Sequence, residues 1–324
     1  MKTVVIGATG HIGTYLVPRL LAMGHDVVAV SRGTREPYQG GEGWSNVERV
    51  TADRAALEKQ GSFGALIADM SPDVVVDLIC FTEESAQHLV GALSGRVQHF
   101  LHCGTIWVHG PSEVVPTDEA APRRPYGDYG VWKAAIEAML LGRSRREGFP
   151  ATVVHPGHIV GPGWPPINPA GHLGLQVFEA LANGDRLALP ERGLGCLHHV
   201  HADDVAQVFE RAICRPAASV GEAFHAVSPG AVTLYGYARA VASWFGLEAD
   251  LALAPWEEWC TTVSDDEARL TEDHIARSPN ASIRKGRELL GYEPRYTSLQ
   301  AVREALAWLI RTGKVKAPRL DPES

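Results

Sequence analysis

Short apolar runs alternate with longer amphipathic segments through the first half of the chain. The apolar runs predict strands at residues 3–7, 26–31, 47–50, 73–79, 97–103 and 151–155. Helical periodicity fills the intervals, most clearly at 11–23 and 129–146, and Gly24 is typical of a residue that ends a helix. Strands that alternate with helices form parallel sheets covered on both faces, so the pattern predicts a doubly wound α/β domain.

The pattern changes after Pro156, where glycine and proline crowd residues 161–166 into a segment typical of a long shaped loop. Beyond it, short strands and helices interleave up to a final amphipathic helix at 298–311. With 324 residues, the chain exceeds the usual size of a single domain. We therefore expect a first domain over residues 1–161, rejoined by part of 196–230, and a smaller lobe over 162–324 that covers a substrate.

A glycine-rich turn connects the first predicted strand to the first predicted helix, where residues 7–13 read Gly-Ala-Thr-Gly-His-Ile-Gly. Gly7 allows the sharp turn, Gly10 lets backbone N–H groups approach a pyrophosphate, and Gly13 permits close packing of helix on strand. The helix N-terminus adds partial positive charge at the same point. The turn predicts a Rossmann-type domain that binds a dinucleotide through Gly7, Thr9, Gly10, His11, Ile12 and Gly13.

The end of the second predicted strand bears on the choice of dinucleotide. A site that prefers NAD carries an acidic residue there for the ribose 2′-hydroxyl, but this chain has Ser31 and Arg32. A guanidinium binds phosphate in a bidentate manner and stacks on adenine. We therefore expect Ser31 and Arg32 to select NADP, with NAD as the alternative if Arg32 only faces solvent.

Tyr129 and Lys133 are four residues apart in a predicted helix and therefore share one face. A tyrosine with an ordinary pKa of ~10 is a poor base, but a nearby ammonium stabilises the phenolate and lowers the pKa. The pair is suited to proton exchange with a substrate oxygen. Tyr126 lacks a lysine four positions later, so we do not expect it to take this role.

Four segments together resemble the extended short-chain dehydrogenase/reductase family, of the NAD-dependent epimerase/dehydratase type. They are the G-x-x-G-x-x-G spacing at 7–13, Tyr-Gly-Val-Trp-Lys at 129–133, Val-His-Ala-Asp-Asp-Val-Ala at 200–206 and Leu-Leu-Gly-Tyr-Glu-Pro at 289–294. The resemblance implies a catalytic role for Thr105, which stands five residues before Gly110. In that role Thr105 hydrogen-bonds the reacting oxygen, Tyr129 exchanges its proton, and Lys133 binds the nicotinamide ribose while lowering the pKa of the phenol.

The resemblance also extends to the adenine end of the cofactor. It implies that Asp53, just after the third predicted strand, contacts the adenine amino group. The alternative for Asp53 is a helix N-cap. The expected cofactor contacts at this end are Asp53 and the adjacent Arg54.

Two positions depart from the family's pattern. His155 stands where the family usually has Arg before a Pro, and His109 replaces a common Tyr. The basic positions that bind a nucleotide diphosphate in sugar-nucleotide members are not clearly matched, although Arg192 and Arg277 are candidates. These departures bear on the substrate, which could be a simpler sugar or a polyol.

The two residues after Thr105 bear on the reaction. Related dehydratases carry Asp and Glu at these positions, and related decarboxylases carry Glu at the second, whereas this chain has Ile106 and Trp107. Neither side chain exchanges a proton, so we expect no loss of water or carbon dioxide. A carboxylate from Glu113 or Glu119 is the alternative.

The expected function is that of an NAD(P)-dependent sugar or nucleotide-sugar epimerase or oxidoreductase, which uses the Thr-Tyr-Lys relay and hydride transfer to or from nicotinamide. One alternative is a net dehydrogenase or reductase of a simple sugar or polyol. The other is a non-catalytic dinucleotide sensor on the same fold. The complete set of Thr105, Tyr129 and Lys133 favours an enzyme, because a sensor needs no proton relay.

Composition and charge narrow the partners. The net charge of -8 and pI of about 6.0 disfavour nucleic acid, which requires a concentrated basic face. Five widely spaced cysteines suggest neither a disulfide framework nor a zinc ribbon. No cationic leader or long apolar run is visible, so we expect a cytoplasmic protein that neither spans nor binds a membrane. A homodimer remains open.

Three histidines, His198, His199 and His201, lie close to Asp203 and Asp204 and raise the question of a metal. The family places a His-x-Asp-Asp segment here for packing between the lobes and for capping the next helix. Metal ligands also need converging geometry. We therefore expect no metal site.

Overall fold

The computed structural model describes residues 1–38, 42–45 and 47–321. In these residues the strands are β1 (Lys2–Ile6), β2 (Asp26–Ser31), β3 (Glu48–Thr51), β4 (Val74–Asp77), β5 (His99–Cys103), β6 (Ala151–Pro156), β7 (His158–Val160), β8 (Leu187–Pro190), β9 (Cys196–Leu197), β10 (His199–His201), β11 (Ala223–Ala226), β12 (Val232–Thr233) and β13 (Leu251–Ala254). The α-helices are α1 (Gly13–Ala22), α2 (Arg54–Lys59), α3 (Phe63–Asp69), α4 (Glu83–Leu93), α5 (Gly127–Glu147), α6 (Gln176–Asn183), α7 (Ala202–Cys214), α8 (Pro216–Ser219), α9 (Leu234–Trp244), α10 (Trp256–Cys260), α11 (Asp265–Ile275) and α12 (Ser298–Arg311).

Seven parallel strands form the central sheet, in the order β11-β6-β5-β4-β1-β2-β3. In register, β1 pairs Lys2 with Asp26 of β2 and Thr3 with Val74 of β4. The chain runs outward from β1 to β3 and then crosses back to β4 on the other side. This reversal leaves a crevice at the carboxyl ends of β1 and β4, which is the usual ligand site of such sheets. The structure confirms the predicted doubly wound α/β fold.

Burial on both faces explains why the strands read as continuous apolar runs. Val4 and Ile6 of β1 pack into one core with Phe63 of α3, while Val5 packs into the opposite core with Leu16 of α1. Successive side chains of a strand point to opposite faces, and both faces of β1 are buried. Apolar residues are therefore needed at each position from Val4 to Ile6.

The chain returns to the sheet after the glycine- and proline-rich loop. Strand β11 pairs with β6 and forms one edge of the sheet, aligning Phe224 with Val154, and α7 packs against α1. A separate core holds the remaining elements together and includes Phe178 of α6, Tyr237 of α9 and Leu306 of α12. Trp259 belongs to this core and is fully buried, with its indole N–H donated to Ala188 O at 3.1 Å.

Element bounds differ from the predicted ones by a few residues. Helix α12 begins and ends as predicted, and Thr297 and Gln300 form a capping box at its start. Helix α5 starts two residues earlier than predicted, at Gly127, and ends at Glu147, where Gly148 caps it in the left-handed conformation. Among the described residues, no helix is both long and apolar enough to cross a membrane.

Candidate active site

The crevice opens into a cavity of about 370 Å³. Gly7 and Gly10 of the glycine turn line it, together with residues from the ends of β4 and β5 and from α5. The three predicted catalytic residues, Thr105, Tyr129 and Lys133, also line it. The structure therefore brings the predicted dinucleotide turn and the predicted catalytic residues to the same cavity.

Close contacts around the glycine turn exclude larger residues. Gly7 has a φ of +87°, and a Cβ there would come within 2.7 Å of Ile79 Cγ2. A Cβ on Gly13 would come within 2.2 Å of Ala8 O. The Gly10 N–H donates to Gly7 O at 2.9 Å. A cradle of bare backbone beside the first turn of α1 fits the pyrophosphate of a dinucleotide.

His11 and Ile12 line the cavity next to this cradle, and Thr9 is half-buried in the turn. The His11 ring stacks on Trp164, with centroids 5.2 Å apart. Burial is the main cause that lowers the pKa of His11 to about 3, and the charge of His201 adds to it. Neither ring nitrogen of His11 has a hydrogen-bond partner in the part of the chain that the structure describes. Unpartnered polar atoms of this kind fit a site that takes a polar ligand.

Ser31 and Arg32 lie at the end of β2, at the edge of the crevice. Ser31 Oγ accepts the Gly33 N–H at 3.2 Å, which shapes the turn after the strand. The Arg32 side chain is exposed. Its guanidinium is therefore accessible to a ligand that reaches this edge.

Asp53 and Arg54 both have structural partners. Asp53 caps α2, where its Oδ1 accepts the Ala56 N–H at 3.1 Å. Arg54 is buried, and its Nη1 donates to both carboxylate oxygens of Asp77 at 2.8 and 2.9 Å. Its Nε donates to Glu58 at 2.7 Å. The guanidinium thus holds the carboxyl end of β4 against α2.

Thr105 follows β5 and begins a short 3-10 turn over Ile106–His109. Its backbone is extended, and its Oγ1 accepts the Trp107 N–H at 3.3 Å. Because the oxygen acts as acceptor there, the hydroxyl proton is available for donation elsewhere. Thr105 and Tyr129 both line the cavity, and hydrogen bonding from Thr105 acts to lower the pKa of Tyr129, against the larger effect of burial.

Tyr129 and Lys133 stand one turn apart on α5, as predicted. Lys133 is 1% exposed, and its Nζ donates to Cys80 O and Cys103 O at 2.6 Å each. These carbonyls lie just beyond β4 and at the end of β5. The ammonium lies 4.9 Å from the centroid of the Phe81 ring.

The surroundings shift the pKa of both groups in the directions that burial imposes. Burial is the largest cause that raises the pKa of Tyr129, with a further rise from Cys103, although the residue is 39% exposed. Burial also lowers the pKa of Lys133, against opposing contributions from Cys103 and Cys80. Phenolate therefore forms in the working range only when further positive charge is present at the site.

The cavity includes residues that the sequence reasoning did not select, notably Phe81, His158 and Trp164. Phe81 follows β4, His158 begins β7 just beyond the carboxyl end of β6, and Trp164 lies in the loop after β7; the carboxyl ends of β4 and β6 are the signal that could have found the first two. The Trp107 ring meets Tyr129 edge to face at 5.8 Å. Its indole N–H donates to His158 Nε2 at 3.4 Å.

The two departures from the family's pattern lie behind the cavity and do not line it. His155 is fully buried, and its Nδ1 accepts the Thr105 N–H at 3.0 Å. His109 is also buried, with its Nε2 2.8 Å from His225 Nε2. Both histidines therefore contact protein groups behind Thr105 and do not meet a ligand in this cavity.

Arg277 and Arg192, the candidate anion ligands, have different surroundings. Arg277 is 2% exposed, and its guanidinium carbon lies 3.8 Å from the centroids of both Trp107 and Tyr126. Its Nη2 donates to Tyr126 O at 2.9 Å. The Arg277 guanidinium therefore stacks on these two rings behind the wall of the cavity. Arg192 is exposed in the turn after β8.

The histidine-rich segment is used for packing and capping. His198 Nδ1 accepts the Ala281 N–H at 3.0 Å, and His199 Nε2 lies 3.1 Å from Ile167 O. His201 caps α7 with its Nδ1. In the described residues, no group of three or more His, Cys, Asp and Glu side chains is placed to hold a metal ion.

Comparisons with known proteins identify the family and support the fold. The family model for the NAD dependent epimerase/dehydratase family matches residues 3–226. A UDP-glucose 4-epimerase of Mycolicibacterium smegmatis is 29% identical over 65% of this chain and 73% of its own length. A 2'-dehydrokanamycin reductase of Streptomyces kanamyceticus is 28% identical over 63% of this chain and 55% of its own length. A solved UDP-glucose 4-epimerase of Thermotoga maritima superposes with a TM-score of 0.72 at 19% identity, over 96% of this chain and 99% of that one.

The chain belongs to the NAD-dependent epimerase/dehydratase family, which is an extended short-chain dehydrogenase/reductase family. Its similarity to sugar-nucleotide epimerases and to sugar reductases supports an enzyme of this type.

Proposed function

We propose that this protein interconverts alcohol and ketone on a sugar or nucleotide-sugar substrate by hydride transfer to or from a bound nicotinamide dinucleotide. The observation that carries the proposal is the convergence of Thr105, Tyr129 and Lys133 on the cavity that the glycine turn also lines. A binding module that performs no chemistry has no use for a phenol, an ammonium and a hydroxyl in that arrangement.

The glycine turn would hold the dinucleotide, which would supply hydride transfer and, in its oxidised form, a positive ring. Lys133 donates two of its three N–H bonds to the carbonyls at the ends of β4 and β5. The third bond is directed to a ribose hydroxyl. The ammonium, with the cofactor's charge, offsets the burial that raises the pKa of Tyr129.

The phenolate of Tyr129 then takes the proton of the substrate hydroxyl as that carbon is oxidised, and returns it on reduction. The Thr105 hydroxyl donates a hydrogen bond to the same substrate oxygen and holds that oxygen near the phenol. If the ketone rotates within the site so that hydride returns to its other face, the product is an epimer. If it leaves, the net reaction is a dehydrogenation or reduction.

We further propose that the dinucleotide is NADP, on the strength of the exposed Arg32 beside Ser31. Gly7, Thr9, Gly10, His11, Ile12 and Gly13 hold the pyrophosphate region. Asp53 reaches the adenine end while it caps α2, and Arg54 contributes by bracing Asp77.

A second candidate function is net reduction of a simpler sugar or polyol. The match with a sugar reductase favours it, and so does the burial of Arg277, which leaves Lys133 as the charged residue among those that line the cavity. The glycine turn serves the pyrophosphate of the cofactor, and the second diphosphate that a nucleotide sugar would bring has no cationic side chain besides Lys133 in the cavity lining.

Elimination is not part of the proposal, because Ile106 is buried and Trp107 packs between Tyr129 and Arg277. Neither offers a titratable proton. Glu119, one alternative source, is buried with its Oε1 accepting the His225 N–H at 2.9 Å.

A screen of nucleotide sugars, free sugars and aldonates tests the proposed function. Each is incubated with the enzyme and either dinucleotide, while NADPH absorbance, product stereochemistry and product mass are followed. We expect a change of redox state or of configuration at one carbon. A product lighter by one water or one carbon dioxide would contradict the exclusion of elimination.

A further inference from the structure

A buried chain of polar side chains connects α5 to the main chain of Thr105. The Thr105 N–H donates to His155 Nδ1 at 3.0 Å, and His155 Nε2 lies 3.1 Å from Glu137 Oε1. Arg123 donates to both oxygens of Glu137 at 2.6 and 3.0 Å. His155 is fully buried and Glu137 is 3% exposed.

The tautomer of His155 follows from this geometry. A backbone N–H only donates, so Nδ1 must be the unprotonated acceptor and the ring proton resides on Nε2. Nε2 lies at ion-pair distance from the Glu137 carboxylate, 3.1 Å from Oε1, but it is not aligned as a hydrogen-bond donor to it. Burial acts to raise the pKa of Glu137, but His155 and Arg123 outweigh it and lower the pKa, which keeps the carboxylate charged.

The position of Glu137 ties this chain to the catalytic helix. Tyr129, Lys133 and Glu137 follow one another at intervals of four residues along α5 and share one face. The residue that precedes Thr105 is also restricted, because a Cβ on Gly104 would come within 2.5 Å of His155 Nδ1. Glycine before Thr105 is therefore required for the imidazole to reach the threonine amide.

We propose that His155 is a positioning residue, which Glu137 holds in the required tautomer and which fixes the Thr105 main chain so that the threonine hydroxyl meets Tyr129. This inference rests on the proposed roles of Thr105 and Tyr129. It explains why a histidine that does not line the cavity stands directly behind a catalytic residue. An imidazole oriented by a carboxylate is a recurring means of holding a reactive group in register.

The test follows the titration of Tyr129 by its phenolate absorbance in the NADP⁺ complex, with each protein measured against the same protein carrying Tyr129→Phe. His155→Phe removes the acceptor and leaves the Thr105 amide unpaired. Since Thr105 lowers the pKa of Tyr129, the titration midpoint should rise by about half to one pH unit, the range that the loss of one ordinary hydrogen bond corresponds to.

Two variants separate positioning from a general loss of packing. His155→Asn offers an amide oxygen near the place of Nδ1 and should restore the wild-type midpoint. His109→Phe alters a buried histidine of the same region, with its ring centroid 6.4 Å from that of His155, but without a bond to Thr105. It should lower the thermal unfolding temperature yet leave the midpoint unchanged.

Glu137→Gln provides a second test if His155→Phe does not fold, and it should raise the midpoint by a smaller amount. An unchanged midpoint in these His155 and Glu137 variants, or an equal rise in His109→Phe, overturns the inference alone. A phenol that titrates like free tyrosine in every protein overturns the inference together with the proposed relay.

Discussion

The Lys133 ammonium lies 5.8 Å from the centroid of the Tyr129 ring and donates to two main-chain carbonyls that α5 does not contain. The lysine therefore joins α5 to the ends of β4 and β5. Because the carbonyls fix the ammonium in place, its charge is already positioned before any ligand binds.

Lys133→Met should weaken NADP⁺ binding by about tenfold or more and lower the stability of the fold. The change removes the expected ribose contact and leaves two buried carbonyls without a donor, at a cost of about 1 to 3 kcal/mol for each such group. Dinucleotide titration by tryptophan fluorescence and thermal unfolding measure the two effects. Lys59→Met, at an exposed site on α2, should change neither.

Arg32→Ala should narrow the preference for NADP over NAD by about ten- to a hundred-fold, because a charge-assisted phosphate contact contributes about 1.5 to 3 kcal/mol. The dissociation constants of both dinucleotides give the result. Arg35→Ala is the matched control, an exposed arginine three residues further along the same turn. Equal affinities for NADP and NAD in the wild type, unchanged in Arg32→Ala, would refute the assignment.

Gly13→Ala should disrupt the dinucleotide turn, since the new methyl group would stand 2.2 Å from Ala8 O and force α1 away from β1. We expect a lower unfolding temperature and a loss of dinucleotide affinity of at least about tenfold, because the backbone groups that would contact the pyrophosphate are displaced. A Cβ on Gly91 in α4 would have no atom outside its own helix turn within 4 Å, so Gly91→Ala should stabilise the protein by up to about 1 kcal/mol. Similar behaviour of the two variants would contradict this account of the turn.

Acid should destabilise the protein well before its carboxylates titrate. Burial is the main cause that lowers the pKa of five histidines to about 3 or 4, and these are His11, His99, His109, His198 and His199. Their folded pKa lies below the unfolded value of 6.5, so the stability they contribute is complete above pH 6.5 and is lost as pH falls toward the folded values.

Each such histidine lowers the free energy of unfolding by about 1.4 kcal/mol per pH unit in that window. Urea unfolding at a series of pH values should therefore show a loss of several kcal/mol between about pH 6.5 and pH 5. A flat profile over this window would show that the histidines are not buried as described.

The sequence predicted the sheet, the glycine turn and the catalytic helix because each has a local signal. The apolar runs correspond to strands buried on both faces, and the four-residue spacing of Tyr129 and Lys133 sets their common side of α5. The family resemblance, and not the local pattern, pointed to Thr105, which the structure places just after β5.

What the sequence could not predict depends on long-range packing. Nothing local to Arg277 shows that Trp107 and Tyr126 stack on both sides of it, because those rings are distant in the chain. The pairing of His155 with Glu137 likewise appears only when β6 lies against α5. The ion pair of Arg54 in α2 with Asp77 at the end of β4 also joins residues that no local pattern connects.

Comparison of Tyr129→Phe with the wild type tests the central claim most directly. The measurement is turnover of a responsive substrate from the sugar screen, together with the affinity for NADP⁺. The proposed relay predicts that turnover falls by at least about a hundred-fold, because the proton acceptor is lost, while NADP⁺ affinity stays within about twofold. Near-normal turnover by Tyr129→Phe would contradict the account.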